Sequence, residues 1–281
     1  MKASIVICSY NQGRYIGETL ESITSQRGLA PGELEIILVD GQSTDDTVDV
    51  IAQYRDKLDV VVVEPDRGQS DALRKGFDLA TGEILGWLCS DDVIEPTAIR
   101  EVIDYFQTHS EARFIYGDAM FIDKAGGVID IKREIDWNWF VWLHDHNFIR
   151  QPSAFWRKEL YNLVGGIDPD LQISMDADLF CRFALITVPR HVESIWSRLR
   201  MYPEIKTLRM REAHRAERLR ILDRCGAGHR WKLQRATYFA VAKVLRTYLK
   251  LKQRRYGESP MSQVASLLSK RRWLQLFGVW K

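Results

Sequence analysis

The stretch GWLCSDDVIEP, residues 86–96, decides the fold because an apolar run ends abruptly in two adjacent carboxylates. The apolar residues up to Cys89 are typical of a buried strand, and Asp91 and Asp92 follow after one serine. Neighbouring carboxylates in a poorly solvated place raise each other's pKa and repel, so folding alone gives little reason for them. Two interpretations stay open: a site for a hard cation such as Mg²⁺ or Mn²⁺, or caps for a helix beginning near Glu95.

Four further apolar runs predict strands, and segments with helical spacing lie between them. The five predicted strands are residues 3–10, 34–40, 59–64, 83–89 and 113–118. A first helix carries Ile16, Leu20 and Ile23 on one face. A second is expected to begin with Ser43 as its cap, and a third near Gln69. Strands that alternate with helices predict an α/β fold with a mainly parallel central sheet flanked by helices.

Polar clusters follow three of these strands, at residues 9–12, 40–43 and 90–92. Ligands of open α/β sheets bind beyond the carboxyl ends of the strands, so we expect the three clusters to form one site. After residue 118 the pattern changes to a β-hairpin turning at Gly126, an aromatic segment, a short strand and a helix that begins near Asp176.

The composition is that of a globular protein, with 46% apolar and 28% charged residues in a chain of 281. No apolar run reaches the roughly 20 residues that span a bilayer, and the N-terminal apolar run is too short for a signal peptide. These features predict a cytoplasmic protein. The four cysteines form no CxxC pair, so neither a disulfide framework nor a zinc site is expected.

Charge divides the chain into two parts. Residues 1–189 hold 17 Lys/Arg and 32 Asp/Glu, a net −15, whereas residues 190–281 hold 23 and 6, a net +17. From about residue 208 the chain has the pattern of basic helices. Such a segment indicates an anionic partner, which could be a membrane surface, a nucleic acid or a phosphate-bearing substrate.

Four segments in order resemble the signatures of family 2 glycosyltransferases of the GT-A fold. They are ICSYNQGRYIGETLESITSQ, EIILVDGQSTDDT, EPDRGQSDALRKGFDLATGEILGWLCSDD, and QPSAFWRKEL followed by GGIDPDLQISMDADLFCRF. The resemblance implies transfer of a sugar from a nucleoside diphosphate donor with inversion at the anomeric carbon. It divides the chain into a catalytic domain (1–207), with nucleotide-sugar-binding (1–118) and acceptor-binding (119–207) halves, and a basic helical extension (208–281).

The resemblance places the donor at the first three strand ends. Side chains after the first strand would line the nucleoside pocket, and an aspartate after the second would accept the ring N–H of the base. Charges on the third helix would contact ribose or diphosphate, although solvated charges on a helix face are the alternative. These donor-binding residues are Ser9, Tyr10, Asn11, Asp40, Asp71, Lys75 and Asp91.

The resemblance makes Asp92 the direct ligand of Mn²⁺ or Mg²⁺ and places Asp91 against the metal-bound phosphate or ribose. The cation would neutralise charge on the departing nucleoside diphosphate. Ser90 stands where the family often has a further aspartate, and Tyr202 where relatives often have a histidine that completes the metal shell. The possible substitutes for that histidine are His144, His146 and His191.

Inversion needs a base opposite the leaving group, and the segment MDADL supplies the match. The family usually has a glutamate where this chain has Met175, and the following Asp176 takes the position of the base. A helix N-cap is the alternative role for Asp176. Asp178 would leave the helix on another side, as a structural or acceptor-facing residue.

An acceptor platform is expected from aromatic side chains, because aromatic rings stack on the apolar faces of sugars. Trp137 and Trp139 are the candidates, and burial in the core is the alternative. Gln151 matches a motif in part of the family and would lie near the acceptor.

The basic extension mixes Trp, Tyr and Leu with cations at 231–256 and in KRRWLQLFGVWK at the end of the chain. Such segments bind anionic bilayer surfaces, although packing on the catalytic domain is the alternative. We therefore expect a transferase peripheral to the inner face of the cell membrane that acts on a lipid-linked or envelope glycan. Two competing hypotheses are a catalytically silent sugar-nucleotide-binding module and a nucleic-acid-binding protein, although no nucleic acid partner is expected.

Overall fold

The computed structural model describes residues 1–226 and 232–253, so the segment KRRWLQLFGVWK lies outside the described residues. Its strands are β1 (Ala3–Ser9), β2 (Leu34–Asp40), β3 (Val60–Val63), β4 (Ile84–Cys89), β5 (Val93–Ile94), β6 (Phe114–Ile122), β7 (Val128–Lys132), β8 (Ala154–Arg157) and β9 (Arg190–Arg200). Its helices are α1 (Gly13–Thr24), α2 (Thr47–Gln53), α3 (Gln69–Leu79), α4 (Ala98–Thr108), α5 (Trp139–His144), α6 (Lys158–Leu163), α7 (Met175–Ala184), α8 (Lys206–Arg209), α9 (Arg211–Arg224) and α10 (Lys232–Lys252).

The strands form one sheet in the order β3-β2-β1-β4-β8-β6-β9-β5, with β7 paired to β6. Strands β3, β2, β1 and β4 are mutually parallel, as predicted, so their carboxyl ends share one edge. Strand β8 lies antiparallel between β4 and β6, and the predicted hairpin joins β6 to β7. The predicted mainly parallel α/β sheet is confirmed.

The core occupies both faces of this sheet because successive strand residues point to opposite sides. On β1, Ile5 and Ile7 pack with α1 and α4, including Ile103. Val6, between them, packs on the opposite face in a cluster that includes Trp156. Helices therefore cover both faces of the sheet, and the polar strand ends are left at its edge.

Two expected helix starts differ in the structure. Helix α2 begins at Thr47, with Asp46 rather than Ser43 at the N-cap position. The hydroxyl oxygen of Ser43 accepts the N–H of Asn11 and so is engaged by the neighbouring loop, while its O–H donates to the buried Asp40. Helix α4 begins at Ala98 after Thr97. Asp91 and Asp92 are therefore not its caps.

The described part of the basic extension packs on the rest of the chain. Arg246 of α10 lies 2.6 Å from Asp145, and Lys250 lies 3.4 Å from the buried Glu134. Part of the positive excess thus neutralises acidic groups of the same chain. Among the described residues, no helix has the length and apolarity needed to cross a bilayer.

A disulfide joins Cys181 on α7 to Cys225 at the end of α9, with the Cα atoms 6.6 Å apart. This corrects the expectation that the cysteines form no disulfide. The two residues are 44 positions apart in sequence, and only the packing of α9 against α7 brings them together.

Candidate active site

The first two predicted strand-end clusters are joined by hydrogen bonds. The backbone N–H of Asn11 donates to Ser43 Oγ (2.8 Å), and the side-chain oxygen of Asn11 accepts from the N–H of Thr44 (2.8 Å). Asn11 and Gln42 both have positive φ, at 52° and 61°, a conformation that is uncommon outside glycine and concentrates at functional sites. The two loops therefore form one shaped rim at the edge of the sheet.

The predicted nucleoside residues differ in their exposure. Tyr10 is 59% exposed, so its ring is available to a ligand, whereas Ser9 and Asp40 are buried. Both oxygens of Asp40 accept from Ser43, at 2.7 Å from its N–H and 2.7 Å from its hydroxyl. Each carboxylate oxygen has two lone pairs, so Asp40 retains acceptor capacity towards a base.

The charged side chains predicted on α3 form ion pairs with each other and with residues of the loop between β3 and α3. Lys75 lies 2.8 Å from Glu64 and 3.7 Å from Asp71, and Arg67 lies 2.9 Å from Asp71. Gly68, which precedes the helix, has φ of 120°, where a side chain would be strained. These pairs connect the loop after β3 to α3, so the charges of Asp71 and Lys75 already have partners within the chain.

The carboxylates of Asp91 and Asp92 meet at the end of β4, together with the thiol of Cys89. Ligand atoms of the three residues all lie within 4.8 Å of one another, the one such cluster that we find among residues 1–226 and 232–253. Tyr202 donates its hydroxyl to Asp91 (2.7 Å), and the N–H of Arg200 donates to Oδ1 of Asp92 (2.9 Å). The two residues at the end of β9 therefore orient the acid pair.

Burial raises the pKa of both carboxyl groups, and the charge of Asp91 raises the pKa of Asp92 further. A bound cation removes this penalty, since it favours the ionised form of both groups. Carboxylate oxygens are also the ligands that Mg²⁺ and Mn²⁺ prefer. The residues at the end of β4 thus fit the cation that the sequence predicts.

None of the proposed substitute histidines joins this cluster within the described part of the chain. His191 on β9 lies 2.8 Å from Asp118 on the neighbouring strand β6, and His146 lies 3.1 Å from Asp145. Tyr202 acts instead as a hydrogen-bond donor to Asp91.

Lys206, which the sequence analysis did not single out, reaches the site from α8. Its Nζ lies 3.3 Å from Oε1 of Gln69, whose amide nitrogen contacts the sulfurs of Cys8 and Cys89. Burial lowers the pKa of this lysine, and nearby Asp66 opposes that change. Lys206 therefore lies close to the thiols of Cys8 and Cys89 at the strand ends, and only the fold brings these residues together.

Asp176 lies in the first turn of α7, two residues after the N-cap position, which Ser174 occupies. The side-chain amide of Asn147 donates to Oδ2 of Asp176 at 3.0 Å. Burial raises the pKa of this carboxyl to about 6. A pKa in that range suits a general base that works near neutral pH.

Asp178 is only 1% exposed, and its two oxygens are occupied by arginines. Arg182 lies 2.7 Å from one oxygen and Arg224 lies 2.5 Å from the other. This geometry does not support the expected contact of Asp178 with the acceptor glycan. It fits the alternative that Asp178 has a structural role.

The tryptophans of the aromatic segment lie beside the candidate base. Trp139 stacks on Trp142 with 5.7 Å between centroids, and Trp137 lies 6.0 Å from Trp142. The indole N–H of Trp142 donates to Asn147, the residue that holds Asp176. Both candidate platform residues are partly buried and pack against the core.

Gln151 contacts the end of β4, next to the acid pair. Its amide nitrogen donates to the carbonyl oxygen of Trp87 (2.6 Å), and its side-chain oxygen accepts from the thiol of Cys89 (3.5 Å). This position orients Cys89, and it does not bring Gln151 to the tryptophans.

A mainly parallel sheet covered by helices, with an acid pair at the end of one strand, is the arrangement expected of GT-A glycosyltransferases. The model of the family described as Glycosyl transferase family 2 matches residues 4–172. Since that match spans more than half of the 281 residues, the chain belongs to glycosyl transferase family 2. The predicted family is confirmed.

Two curated relatives illustrate the range of similarity. A PGL/p-HBAD biosynthesis glycosyltransferase of Mycobacterium bovis (strain BCG) is 30% identical over 200 residues, which cover 67% of this chain and 73% of that protein. An uncharacterised glycosyltransferase of Nostoc sp. is 35% identical over 111 residues, or 38% of this chain and 34% of that protein. The chain thus matches about a third of the length of the Nostoc relative.

Two solved structures share the fold. TarS 1–349 of S. aureus in complex with UDP-GlcNAc has a TM-score of 0.65 at 16% identity, covering 86% of this chain and 71% of that chain. Mannosyltransferase PcManGT of Pyrobaculum calidifontis, in complex with GDP-Man and Mn²⁺, has a TM-score of 0.60 at 17% identity, covering 98% and 80%. The predicted GT-A fold is confirmed.

Proposed function

We propose that this chain is an inverting, metal-assisted glycosyltransferase that uses a nucleoside diphosphate sugar. Its acceptor is a hydroxyl of a lipid-linked or envelope glycan at the inner face of the cell membrane. The observation that carries the proposal is the presence of two separate acidic sites with different surroundings. The pair at the end of β4 suits a cation and a diphosphate, and the single carboxyl on α7 suits a base.

The nucleoside would enter at the rim formed by the first two loops. The exposed ring of Tyr10 offers a stacking surface, and Asp40 offers acceptor oxygens to a base N–H. Asn11, held by Ser43 and Thr44, fixes the rim between them. The complexes of TarS with UDP-GlcNAc and of PcManGT with GDP-Man support a nucleotide-sugar donor of this general kind.

The leaving diphosphate would be held at the end of β4. Asp92 and Asp91 would hold Mn²⁺ or Mg²⁺, which supplies Lewis-acid neutralisation of the diphosphate when it is bound. Lys206 of α8, which contacts Gln69 near the end of β4, would add a positive charge to this part of the site. Tyr202 and Arg200 keep the two carboxylates in position.

The acceptor hydroxyl would lose its proton to Asp176. The side-chain amide of Asn147 and the backbone N–H groups of Ala177 and Asp176 orient the carboxyl, whose oxygens keep lone pairs that can accept a proton. Attack on the face of the sugar opposite the diphosphate inverts the anomeric carbon. Trp137 and Trp139 would carry the acceptor glycan, since the same Asn147 links their cluster to the base.

Asp92→Asn tests the proposed metal role. The amide keeps the shape but loses the charge, so Mn²⁺-dependent affinity for UDP-sugars or GDP-sugars should fall at least about tenfold. Calorimetric titration with and without Mn²⁺ measures this. Glu95→Gln, at the other end of β5 and paired with Arg198, is the matched control and should bind like the wild type. Equal affinities for all three proteins would contradict the metal role of Asp92.

One face of α10 supports the proposal that the protein binds a membrane surface. Exposed apolar side chains at helical spacing form a stripe, the α10 stripe, and the cations Lys243 and Lys252 flank it. The stripe consists of Leu233, Val241, Val244, Tyr248 and Leu251, which are 49% to 80% exposed. An apolar stripe between cations fits the surface of an anionic bilayer.

The double change Val244→Glu with Leu251→Glu should weaken binding to vesicles that contain phosphatidylglycerol by about tenfold or more. The reason is that both side chains would otherwise bury apolar area in the bilayer. Vesicle co-sedimentation measures the binding. Val188→Glu, at an equally exposed apolar residue far from α10 in sequence, is the control. Undiminished binding by the double variant would remove the α10 stripe from the membrane contact.

A further inference from the structure

Helix α9 is attached at two places to α7, the helix of the proposed base. In the middle of α9, the carboxylate of Glu217 accepts backbone N–H groups of residues 172–174, which lead into α7. At the end of α9, Cys225 forms the disulfide with Cys181 of α7. The hydrogen bonds and the covalent link therefore hold the same pair of helices together.

Apolar packing contributes little to this attachment. The structure describes all fourteen residues of α9, and only Glu217 and Ile221 among them are buried, while Leu219 is 39% exposed. Eight of the fourteen are Asp, Glu or Arg. An element with few buried apolar side chains opens locally at a low cost in free energy. The position of α9 on α7 therefore depends strongly on the polar contacts and on the disulfide.

The disulfide closes a loop of the chain that contains the whole of β9. Cys181 and Cys225 are 44 positions apart, and a link across such a span restricts the chain whenever it opens. Both residues are buried, with exposed fractions of 0% and 5%. A reductant therefore reaches the bond more easily when α9 opens, and cleavage of the bond removes the restraint on opening. Reduction of the disulfide and detachment of α9 thus favour each other.

We propose that the disulfide between Cys181 and Cys225 is a redox switch, and that its cleavage by a dithiol loosens α9 from α7 and slows sugar transfer. The reason is that residues 172–174, which lead to Asp176, lose the acceptor that Glu217 supplies when α9 detaches. In a reducing compartment, disulfides are usually transient and serve catalysis or redox sensing. The inference rests on the proposed function for the cytoplasmic location and for the role of α7.

Cleavage of the disulfide is a thiol–disulfide exchange. A thiolate of the dithiol attacks Sγ of Cys225, the more exposed of the two residues, and the S–S bond breaks. Cys181 leaves as a thiolate and takes up a proton from water. The second thiol of the dithiol gives up its proton and attacks the mixed disulfide, which releases Cys225 as a thiol after protonation. Two electrons pass to the cysteines, and the dithiol ends as a disulfide.

Hydrogen exchange of the full-length protein, oxidised and after treatment with dithiothreitol, tests the switch without an assay of transfer. Exchange at residues 172–174 and in α9 should become at least about tenfold faster on reduction. The double variant Cys181→Ala with Cys225→Ala should exchange like the reduced wild type and should not respond to dithiothreitol. Cys8→Ser, which removes a free cysteine outside the disulfide, should respond like the wild type. Because the wild type is compared with itself, the test does not depend on the folding of the double variant.

Transfer rates and donor affinity, measured on the same samples, give the consequence for the site. The rate should fall at least about tenfold on reduction and recover when the disulfide is formed again, while donor affinity stays near its oxidised value. The proposal is overturned if exchange at residues 172–174 is the same in both redox forms, if the folded double variant responds to dithiothreitol, or if reduction leaves the rate unchanged. An oxidised protein that transfers no sugar contradicts the proposed function instead, and hydrogen exchange then still decides whether the disulfide controls α9.

Discussion

Asp176→Asn is expected to lower sugar transfer by about 10² to 10⁴ while donor affinity stays near that of the wild type. The amide preserves the shape of the carboxyl and can still contact Asn147, but it cannot take the proton of an acceptor hydroxyl. Transfer rates with a glycan acceptor and calorimetric donor binding measure the two quantities. A folded variant that transfers sugar at the wild-type rate would remove Asp176 from the mechanism.

Melting temperatures distinguish a loss of catalysis in Asp176→Asn from a loss of folding. Because the pKa of Asp176 is raised in the folded chain, its ionised form costs folding free energy at neutral pH. Asparagine removes that cost, so the melting temperature should equal or exceed that of the wild type. Asp178→Asn is the control two residues away. It breaks ion pairs with Arg182 and Arg224, so it should lower the melting temperature clearly. The transfer rate of the folded protein should change much less than in Asp176→Asn.

The pKa of about 6 also sets the pH dependence of transfer. Only the ionised carboxylate accepts a proton, so the rate should fall about tenfold per pH unit below about pH 6. An ordinary aspartate, with a pKa near 3.9, would hold the rate constant down to about pH 5. The pH profile of transfer at saturating donor distinguishes the two cases.

Local patterns in the sequence were sufficient to predict the first half of the fold. The apolar runs of β1, β2 and β4 are bounded by polar clusters, and parallel pairing then places their carboxyl ends at one edge. The failure at Ser43 has a different cause. Its hydroxyl oxygen accepts the N–H of Asn11 from the first loop instead of an N–H of α2, and its O–H donates to Asp40.

The remainder of the candidate site depends on contacts between distant residues. Lys206 and Cys89 are 117 positions apart, and no spacing rule links them or identifies a thiol beside two carboxylates. The ion pairs that enclose Asp178 include Arg224 from the extension. The sequence therefore indicates which residues carry reactive groups, but it does not distinguish a substrate contact from an internal partner.

Glu217 is the clearest case of an internal partner, and its replacement carries the second large expected effect. This residue of α9 is 6% exposed, and its carboxylate accepts the backbone N–H groups of Gln172, Ile173 and Ser174 at 2.7, 3.1 and 2.8 Å. These three residues lead directly into α7, the helix that carries Asp176. Glu217 of α9 therefore completes the N-terminal end of α7, the helix of the proposed base.

Glu217→Leu should destabilise the protein by about 3 kcal/mol or more, because each buried N–H left without an acceptor costs about 1 to 3 kcal/mol. Urea unfolding measures the loss, and Glu212→Leu, at an exposed position on the same helix, should cost far less. Glu217→Gln keeps one acceptor oxygen and should remain folded enough to assay. Its transfer rate should fall more than its donor affinity, because the proposed base lies on α7 and the proposed site of the leaving group lies at β4. If Glu217→Leu were as stable as Glu212→Leu, the three hydrogen bonds of Glu217 would not be needed to hold the N-terminal end of α7.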